Sequence, residues 1–198
     1  MLFMTLANKV TSARFLLCIL YYVLLTMAAG KPSANRDVQL LTVIFILNQV
    51  IAWSDILDGY LARKYKEVTH FGRIADPLVD KILVVGSFIF FLVIDPLPKI
   101  FTAWFAVVVL GREFLVSGIR GAMEAAGIPF PASVWGKIKT AIQNVTVGTG
   151  LGYATWLPTT RWAELLTITL MWATLVATVM SGVTYVLSAR KFLGSERI

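Results

Sequence analysis

The sequence predicts an all-α integral membrane protein, a bundle of six transmembrane helices with both chain termini in the cytoplasm. Composition is the first reason: 58% of the 198 residues are hydrophobic and 15% are charged, whereas a water-soluble domain has about 45–50% and about 25%. The second reason is that the apolar residues form long runs without the alternation of a transmembrane β-strand. The third is that basic residues collect at alternate ends of these runs.

Six apolar runs are long enough for a helix that crosses a bilayer, which takes about 20 residues. Each run is separated from the next by prolines, glycines or a group of charges, which are typical of helix ends and connections. The predicted helices are, in chain order, Lys9–Ala29, Val38–Ala62, Gly72–Ile94, Ile100–Glu124, Ser133–Trp156 and Trp162–Lys191. The predicted connections are centred on Gly30–Ser33, Arg63–His70, Asp95–Pro98, Gly127–Pro131 and Leu157–Thr160.

The distribution of Lys and Arg predicts the orientation of the bundle. Fourteen of the 18 basic residues lie at helix ends that share one side of the membrane, and the other side has only Lys31, Arg36, Lys99 and Arg161. The positive-inside rule assigns the basic side and both termini to the cytoplasm. Because this topology accounts for the formal net charge of +7, we do not expect a nucleic acid as a partner. Residues 1–198 form one domain in this interpretation.

Four of the 11 acidic residues lie close together in the sequence, where a membrane helix should have none. Asp55 and Asp58 are three residues apart near the end of the second predicted helix, and Asp76 and Asp80 are four apart near the start of the third. Residues at these spacings share a helix face. Since a short connection joins the two helices, an antiparallel pair would bring the two acidic faces together.

Four clustered carboxylates predict a divalent cation site. A carboxylate in a membrane helix costs about 2.5–3.5 kcal/mol unless it has a partner, and neighbouring carboxylates repel one another. An all-oxygen donor set favours Mg²⁺, Mn²⁺ or Ca²⁺ over zinc, and His70 fits a connection better than a metal site. The structural alternative is that the acids form salt bridges with basic neighbours, namely Arg63, Lys64, Arg73 and Lys81.

The acids belong to a longer motif, Asp55-x2-Asp58-Gly59-x2-Ala62-Arg63-x8-Gly72-x3-Asp76-x3-Asp80. This string resembles the signature of the CDP-alcohol phosphotransferase family. The resemblance implies six transmembrane helices, a homodimer, and transfer of a phosphatidyl or similar group from a CDP-linked donor to an alcohol with release of CMP. Small residues among the acids let a backbone or a ligand approach closely, as the floor of a pocket requires.

Further stretches resemble the branch of this family whose acceptor is sn-glycerol 3-phosphate. They are Asn8-x2-Thr11-x2-Arg14, Thr69–Gly72 with Asp76–Lys81, Arg112–Arg120, and Pro131–Thr140 with Gln143. Ala7 departs from the pattern, because a proline often stands there. The resemblance implies CDP-diacylglycerol as donor, phosphatidylglycerophosphate and CMP as products, and a place in bacterial phospholipid biosynthesis. The enzyme would lie in the cytoplasmic (inner) membrane, among membrane lipids, with its active site facing the cytoplasm.

The resemblance also assigns roles to residues. Asp55, Asp58, Asp76 and Asp80 would bind two Mg²⁺ or Mn²⁺ ions, and Asp80 would be the base that takes the proton of the acceptor hydroxyl. Its division between base and ligand stays open. The CDP-linked donor would contact Asn8, Thr11, Asp55, Gly59, Ala62, Arg63, Thr69 and Gly72. Two structural alternatives stay open as well: Asn8 and Thr11 could cap the first helix, and Arg14 could anchor it at the membrane interface.

Four basic residues are candidates for binding the acceptor phosphate, because Arg offers a planar fork to phosphate and Lys a mobile charge. They are Arg112, Arg120, Lys137 and Lys139. The alternative is that they only mark the cytoplasmic side. Arg112 could also have a structural role, paired with Glu113 or with one of the aspartates.

Two other functions fit part of the pattern. A relative with a different acceptor, such as the cardiolipin synthase type that uses phosphatidylglycerol or the inositol-phosphate type, would share the acids. A lipid acceptor such as phosphatidylglycerol would not need the four basic residues. A divalent-cation channel or transporter would need polar residues along the whole path. The charges concentrate at the cytoplasmic end, and Val84–Leu92 is almost wholly apolar, so the transferase is favoured.

Overall fold

The chain forms six long α-helices in a computed structural model that describes the backbone of residues 6–32, 35–65, 70–127 and 134–195. Side chains are described for residues 11–32, 35–54, 78–127 and 134–190. The helices are α1 (Leu6–Ala28), α2 (Val38–Tyr65), α3 (His70–Phe90), α4 (Ala103–Ala125), α5 (Val134–Trp156) and α6 (Arg161–Ser195), with a short 3₁₀ turn at Leu97–Lys99. The described residues contain no β-strand. The all-α, six-helix prediction is therefore confirmed for this part of the chain.

Several helix ends differ from the predicted ones for local reasons. Helix α2 continues to Tyr65, because the Arg and Lys that follow its apolar part are good helix formers. Helix α3 ends at Phe90 rather than Ile94, because the chain then tightens: the N–H groups of Leu92 and Val93 bond the carbonyls three residues earlier, those of Ile89 and Phe90. Helix α3 also runs without interruption through Pro77.

The helices alternate in direction, and contacts between side chains fix their register. Tyr21 of α1 hydrogen-bonds Ser87 of α3 (2.8 Å), and the aromatic rings of Phe88 on α3 and Phe105 on α4 meet with centroids 5.0 Å apart. Helices α5 and α6 pair through a hydrogen bond of 2.7 Å between the hydroxyls of Thr146 and Thr174. The end of the bundle where α2, α4 and α6 finish and α3 and α5 begin carries most of the basic residues. We call it the basic end.

The bundle differs from a water-soluble one in its apolar outer surface and in the hydroxyl groups within its interior. Threonine and serine side chains are buried between the helices, among them Thr146, Thr167, Thr174, Thr178 and Ser181. The hydroxyls of Thr146 and Thr167 donate to main-chain carbonyls one turn earlier, those of Ile142 and Ala163 (2.8 Å each), so neither has to reach water. Large apolar side chains face outwards instead, including Leu16, Trp53, Val107 and Phe114, each at least 65% exposed.

Two of the described helices contain stretches long and apolar enough to cross a membrane unaided, Thr11–Ala28 and Arg161–Arg190. The apolar stretch Val38–Ser54 is shorter. That all six helices cross the membrane stays a prediction.

Close helix packing away from the basic end depends on glycine. Helix α5 approaches α3 at Gly150, where a Cβ atom would lie 2.6 Å from Cε2 of Phe91. The Phe91 ring is fully buried in a layer with Phe88, Phe101 and Phe105, so it has no space into which to move. We call these four rings the aromatic layer.

Gly150→Ala should destabilise the protein, because the added methyl group overpacks the aromatic layer. Gly118→Ala on α4 is the matched control, since nothing lies within 4 Å of its Cβ position and both substitutions gain the same helix propensity. Relative to this control we expect Gly150→Ala to lower the Tm by about 2–10 °C in thermal unfolding of the purified proteins. Equal Tm values would contradict the close packing at Gly150.

Candidate active site

A cavity of about 1510 Å³ opens along the bundle from the basic end. One face of α5 lines its whole length, from Lys137 through Asn144 and Gly148 to Trp156. Helix α4 contributes charged residues at the basic end, and α2 and the start of α6 contribute mainly apolar residues farther along, including Phe45 and Leu166. The cavity therefore has one charged half and one mainly apolar half.

The charged half brings together five of the residues that the sequence singles out. Arg112 and Arg120 of α4, Lys137 and Lys139 of α5, and Asp80 of α3 all line it. Lys137 and Arg120 are exposed, whereas Lys139 is only 5% exposed. Four cations from two helices thus share one wall, which we call the basic wall, although 16 residues of chain separate Arg120 from Lys137.

Glu113 lies between two of these cations. Its Oε1 atom accepts hydrogen bonds from Nζ of Lys139 (2.5 Å) and from Nη1 of Arg112 (3.0 Å). The Arg112, Glu113 and Lys139 side chains are 9% exposed or less. A buried charge is tolerated only when it is paired and hydrogen-bonded, so this cluster explains how α4 and α5 accommodate three charged groups in their contact.

Helix α6 holds Arg112 from the other side. Nη2 of Arg112 donates to the hydroxyl of Ser181, and the guanidinium carbon lies 5.6 Å from the centre of the Tyr185 ring. Gly182 makes room for the arginine stem, since a Cβ atom there would lie 3.4 Å from Cγ of Arg112. Arg112 is therefore oriented by α4 and α6 together.

The α3 wall of the charged half contains Asp80 and Lys81. Asp80 is partly exposed and attracts the Lys139 ammonium electrostatically. Lys81 donates a hydrogen bond to the hydroxyl of Ser117 (2.5 Å), and Ser117 donates in turn to the main-chain oxygen of Glu113 (2.5 Å). These two hydrogen bonds connect Lys81 on α3 with the main chain of Glu113 on α4.

The structure describes only part of the predicted metal and donor sites. Asp55 and Asp58 lie on α2, and Asp76 lies with Asp80 on α3, so each predicted pair shares a helix. The side chains of Asp55, Asp58 and Asp76 fall outside the described residues, as do those of Asn8, Gly59, Ala62, Arg63 and Gly72, and Thr69 lies outside altogether. Among the described side chains, which include only Asp80 of the four aspartates, no group of three potential metal ligands occurs.

Two structural alternatives at the first helix are wrong. Because α1 begins at Leu6, neither Asn8 nor Thr11 is the N-cap residue. Thr11 is 3% exposed and Arg14 is 2% exposed, so Arg14 lies within the bundle and does not extend to a lipid–water interface. Both described residues belong to the interior of the basic end.

The described part of the site fits a hard divalent cation. Asp80, the member of the four motif aspartates whose side chain is described, is partly exposed on a cavity wall where a ligand can reach it. The other three predicted donors are also carboxylates, the ligand type that Mg²⁺ and Mn²⁺ prefer.

Comparison with known proteins assigns the chain to a family. Residues 4–180 match the sequence model described as CDP-alcohol phosphatidyltransferase, which is most of the chain. The chain belongs to the CDP-alcohol phosphatidyltransferase family. Members of this family generally use divalent metal ions, in agreement with the carboxylate donor set.

Curated relatives of the chain carry closely related names. The chain is 34% identical over 149 residues to the CDP-diacylglycerol–glycerol-3-phosphate 3-phosphatidyltransferase of Bacillus subtilis (strain 168), covering 72% of this chain and 74% of the relative. It is 32% identical to a probable phosphatidylglycerophosphate synthase of Mycobacterium tuberculosis (strain ATCC 25618 / H37Rv), covering 97% and 85%. The CDP-diacylglycerol–glycerol-3-phosphate 3-phosphatidyltransferase of Rickettsia bellii (strain RML369-C) is 30% identical, covering 94% of this chain and 96% of the relative.

The residues that hold the cations of this candidate site together are not identified in the sequence analysis. Glu113 is considered there only as a local partner of Arg112, and Ser117, Ser181 and Tyr185 are not singled out. A signal for Glu113 existed, since it is an acid in an otherwise apolar part of α4. Nothing in the spacing pointed to Lys139, 26 positions away, or to the contacts with α6.

The buried Glu113–Lys139 pair should contribute measurably to stability. In a double-mutant cycle with Glu113→Gln and Lys139→Met, we expect a coupling free energy of unfolding of about 1–3 kcal/mol, because a charged hydrogen bond is strong when it is shielded from water. The exposed pair Arg161–Glu164, 2.7 Å apart, is the control, and Arg161→Met with Glu164→Gln should give about 0.2–1 kcal/mol. A buried pair that couples no more strongly than this control would contradict the cluster.

Proposed function

We propose that this chain transfers the phosphatidyl group from CDP-diacylglycerol to sn-glycerol 3-phosphate, giving phosphatidylglycerophosphate and CMP. The observation that carries the proposal is the convergence of Arg112, Arg120, Lys137 and Lys139 on one cavity wall beside Asp80. A soluble phosphorylated acceptor needs such a basic wall, and a lipid acceptor does not. The names of the bacterial relatives support the same reaction.

The cavity accommodates the chemistry of both substrates. The acceptor phosphate is bound at the charged half by the guanidinium groups and ammonium groups of the basic wall. The mainly apolar half, with Phe45, Leu166 and Trp162 in its lining, suits the acyl chains of the lipid donor. The cytidine and diphosphate of the donor contact the residues that the motif assigns to it: Asn8, Thr11, Asp55, Gly59, Ala62, Arg63, Thr69 and Gly72.

The reaction is a displacement at phosphorus. The acceptor hydroxyl oxygen bonds to the phosphorus that carries the diacylglycerol, the bond from this phosphorus to the CMP oxygen breaks, and the hydroxyl proton passes to the Asp80 carboxylate. Asp55, Asp58, Asp76 and Asp80 would hold two Mg²⁺ or Mn²⁺ ions, which would supply charge neutralisation at the donor diphosphate and at the leaving CMP. Asp80 is then base and ligand together.

We further propose that the whole chain is one domain of six transmembrane helices in the bacterial cytoplasmic membrane, with both termini and the active site on the cytoplasmic side. The outward apolar side chains and buried hydroxyls support a lipid environment. The basic residues at one end support the orientation. Trp156 and Trp162, exposed at the opposite end, are typical of the membrane interface. The resemblance also implies a homodimer.

The reaction is tested by CMP release from CDP-diacylglycerol in the presence of Mg²⁺. We expect release with glycerol 3-phosphate and not with inositol phosphate, serine or phosphatidylglycerol, and its loss on addition of EDTA. Asp80→Asn should lower kcat by about 10²–10⁴-fold, because a neutral amide cannot accept the proton. Asp37→Asn is the control: Asp37 accepts a hydrogen bond from the main-chain N–H of Leu40 (3.0 Å) at the start of α2, and Asn caps equally well.

Other results of this assay would point elsewhere. Release with phosphatidylglycerol or inositol phosphate would make the chain a family member with another acceptor. Cation flux into vesicles, with no CMP release from CDP-diacylglycerol and any of the four acceptors, would favour a transporter.

Two exposed members of the basic wall allow a separate test of acceptor binding. Arg120→Gln and Lys137→Gln should each raise the KM for glycerol 3-phosphate by about tenfold, because each removes a charge-assisted hydrogen bond to phosphate. The KM for CDP-diacylglycerol should change much less. Lys99→Gln, an exposed cation at the opposite end of the bundle, should change neither. An unaltered acceptor KM in both wall variants would mean that these residues only mark the cytoplasmic side.

A further inference from the structure

Glu113 is the negative group about which the basic wall is built. A single carboxylate oxygen, Oε1, receives hydrogen bonds from Arg112 at 3.0 Å and from Lys139 at 2.5 Å. The two donors come from different helices and would repel each other without it. The separation of these two cations is therefore set by where the Glu113 oxygen lies.

The cluster carries more positive than negative charge. Two cations share one carboxylate, and Arg120 and Lys137 add positive charge on the same wall. Nε of Arg112 is buried and has no acceptor among the described residues, although Nη1 and Nη2 are bonded to Glu113 and Ser181. The wall thus has an unsatisfied donor and a net positive charge, which suit an anion.

Glu113 is also connected to the wall that carries Asp80. Its main-chain oxygen accepts from Ser117, whose hydroxyl accepts from Lys81, the residue after Asp80. A shift of the α4 turn at Glu113 would therefore move both cations relative to Asp80. No predicted role in the reaction accounts for a carboxylate in this position.

We infer that Glu113 is a positioning residue for the acceptor phosphate, which holds Arg112 and Lys139 at the spacing the phosphate needs without touching it. This inference rests on the proposed function. Glu113→Gln keeps the shape and one acceptor oxygen but removes the charge that keeps two cations together. Glu113→Asp keeps the charge and shortens its reach. Glu113→Gln should let Arg112 and Lys139 move apart, and Glu113→Asp should preserve their spacing in part.

The test separates the KM values of the two substrates in the purified full-length protein. For Glu113→Gln we expect the KM for glycerol 3-phosphate to rise by about tenfold or more, with the KM for CDP-diacylglycerol changed less than about twofold. Glu113→Asp should lie between this variant and the wild type. The inhibition constant of inorganic phosphate, competing with glycerol 3-phosphate, should rise in parallel with the acceptor KM. Glu164→Gln, which breaks the exposed ion pair with Arg161, should match the wild type.

Each other outcome overturns the inference. Unchanged acceptor KM and phosphate inhibition in the folded variants, or equal rises in both substrate KM values, would make Glu113 a structural residue. If neither Glu113→Gln nor Glu113→Asp is recovered as folded protein, Glu113 is likewise a structural residue. If the wild type itself does not release CMP with glycerol 3-phosphate, the proposed function fails first, and the wild-type arm alone identifies that case.

Discussion

The constraint on which this bundle depends is that charge buried among apolar helices must be neutralised where it lies. The described charged side chains that are buried, Arg14, Glu113 and Lys139, all lie at the basic end. One carboxylate on α4 satisfies a lysine from α5 and an arginine whose other contacts are on α6. Because the charges must meet to be tolerated, they fix the relative positions of three helices at the mouth of the cavity. The candidate active site and this part of the fold are therefore stabilised by the same contacts.

Elsewhere the helices are held by uncharged groups. Buried hydroxyl groups such as that of Thr167 donate to main-chain carbonyls of their own helix. Gly150 of α5 leaves room for the ring of Phe91, the residue that follows α3. The outer surface is left apolar. Such an arrangement is stable where lipid, not water, surrounds the protein. In lipid the burial of apolar surface does not drive helices together, so their association depends on close packing.

The number of helices and most of their bounds could be predicted because turn-forming residues separate uniform apolar runs. Ends set by local backbone preferences, such as that of α3 at Phe90, differed, since apolar composition does not show where a turn begins. The basic wall could be predicted as a set, because Arg112 and Lys139 belong to recognisable motifs. The bridging role of Glu113 could not be predicted, because it depends on a contact between α4 and α5 that no periodicity in the sequence indicates. The contacts of Arg112 with Ser181 and Tyr185 are equally invisible, since serine and tyrosine are ordinary residues in such a helix.

The separation between the aromatic layer and the basic wall has a consequence for how such a protein can diverge. The four rings of the aromatic layer keep the helices together far from the charged mouth of the cavity. Substitutions of the exposed wall residues Arg120 and Lys137 can then change the charge at the cavity mouth while the scaffold stays folded. Substitutions among the rings alter folding without changing the lining of the charged half. On the proposed function, a lineage built on this plan can acquire a new acceptor through a few charge changes at the basic end, while the outward apolar surface varies independently.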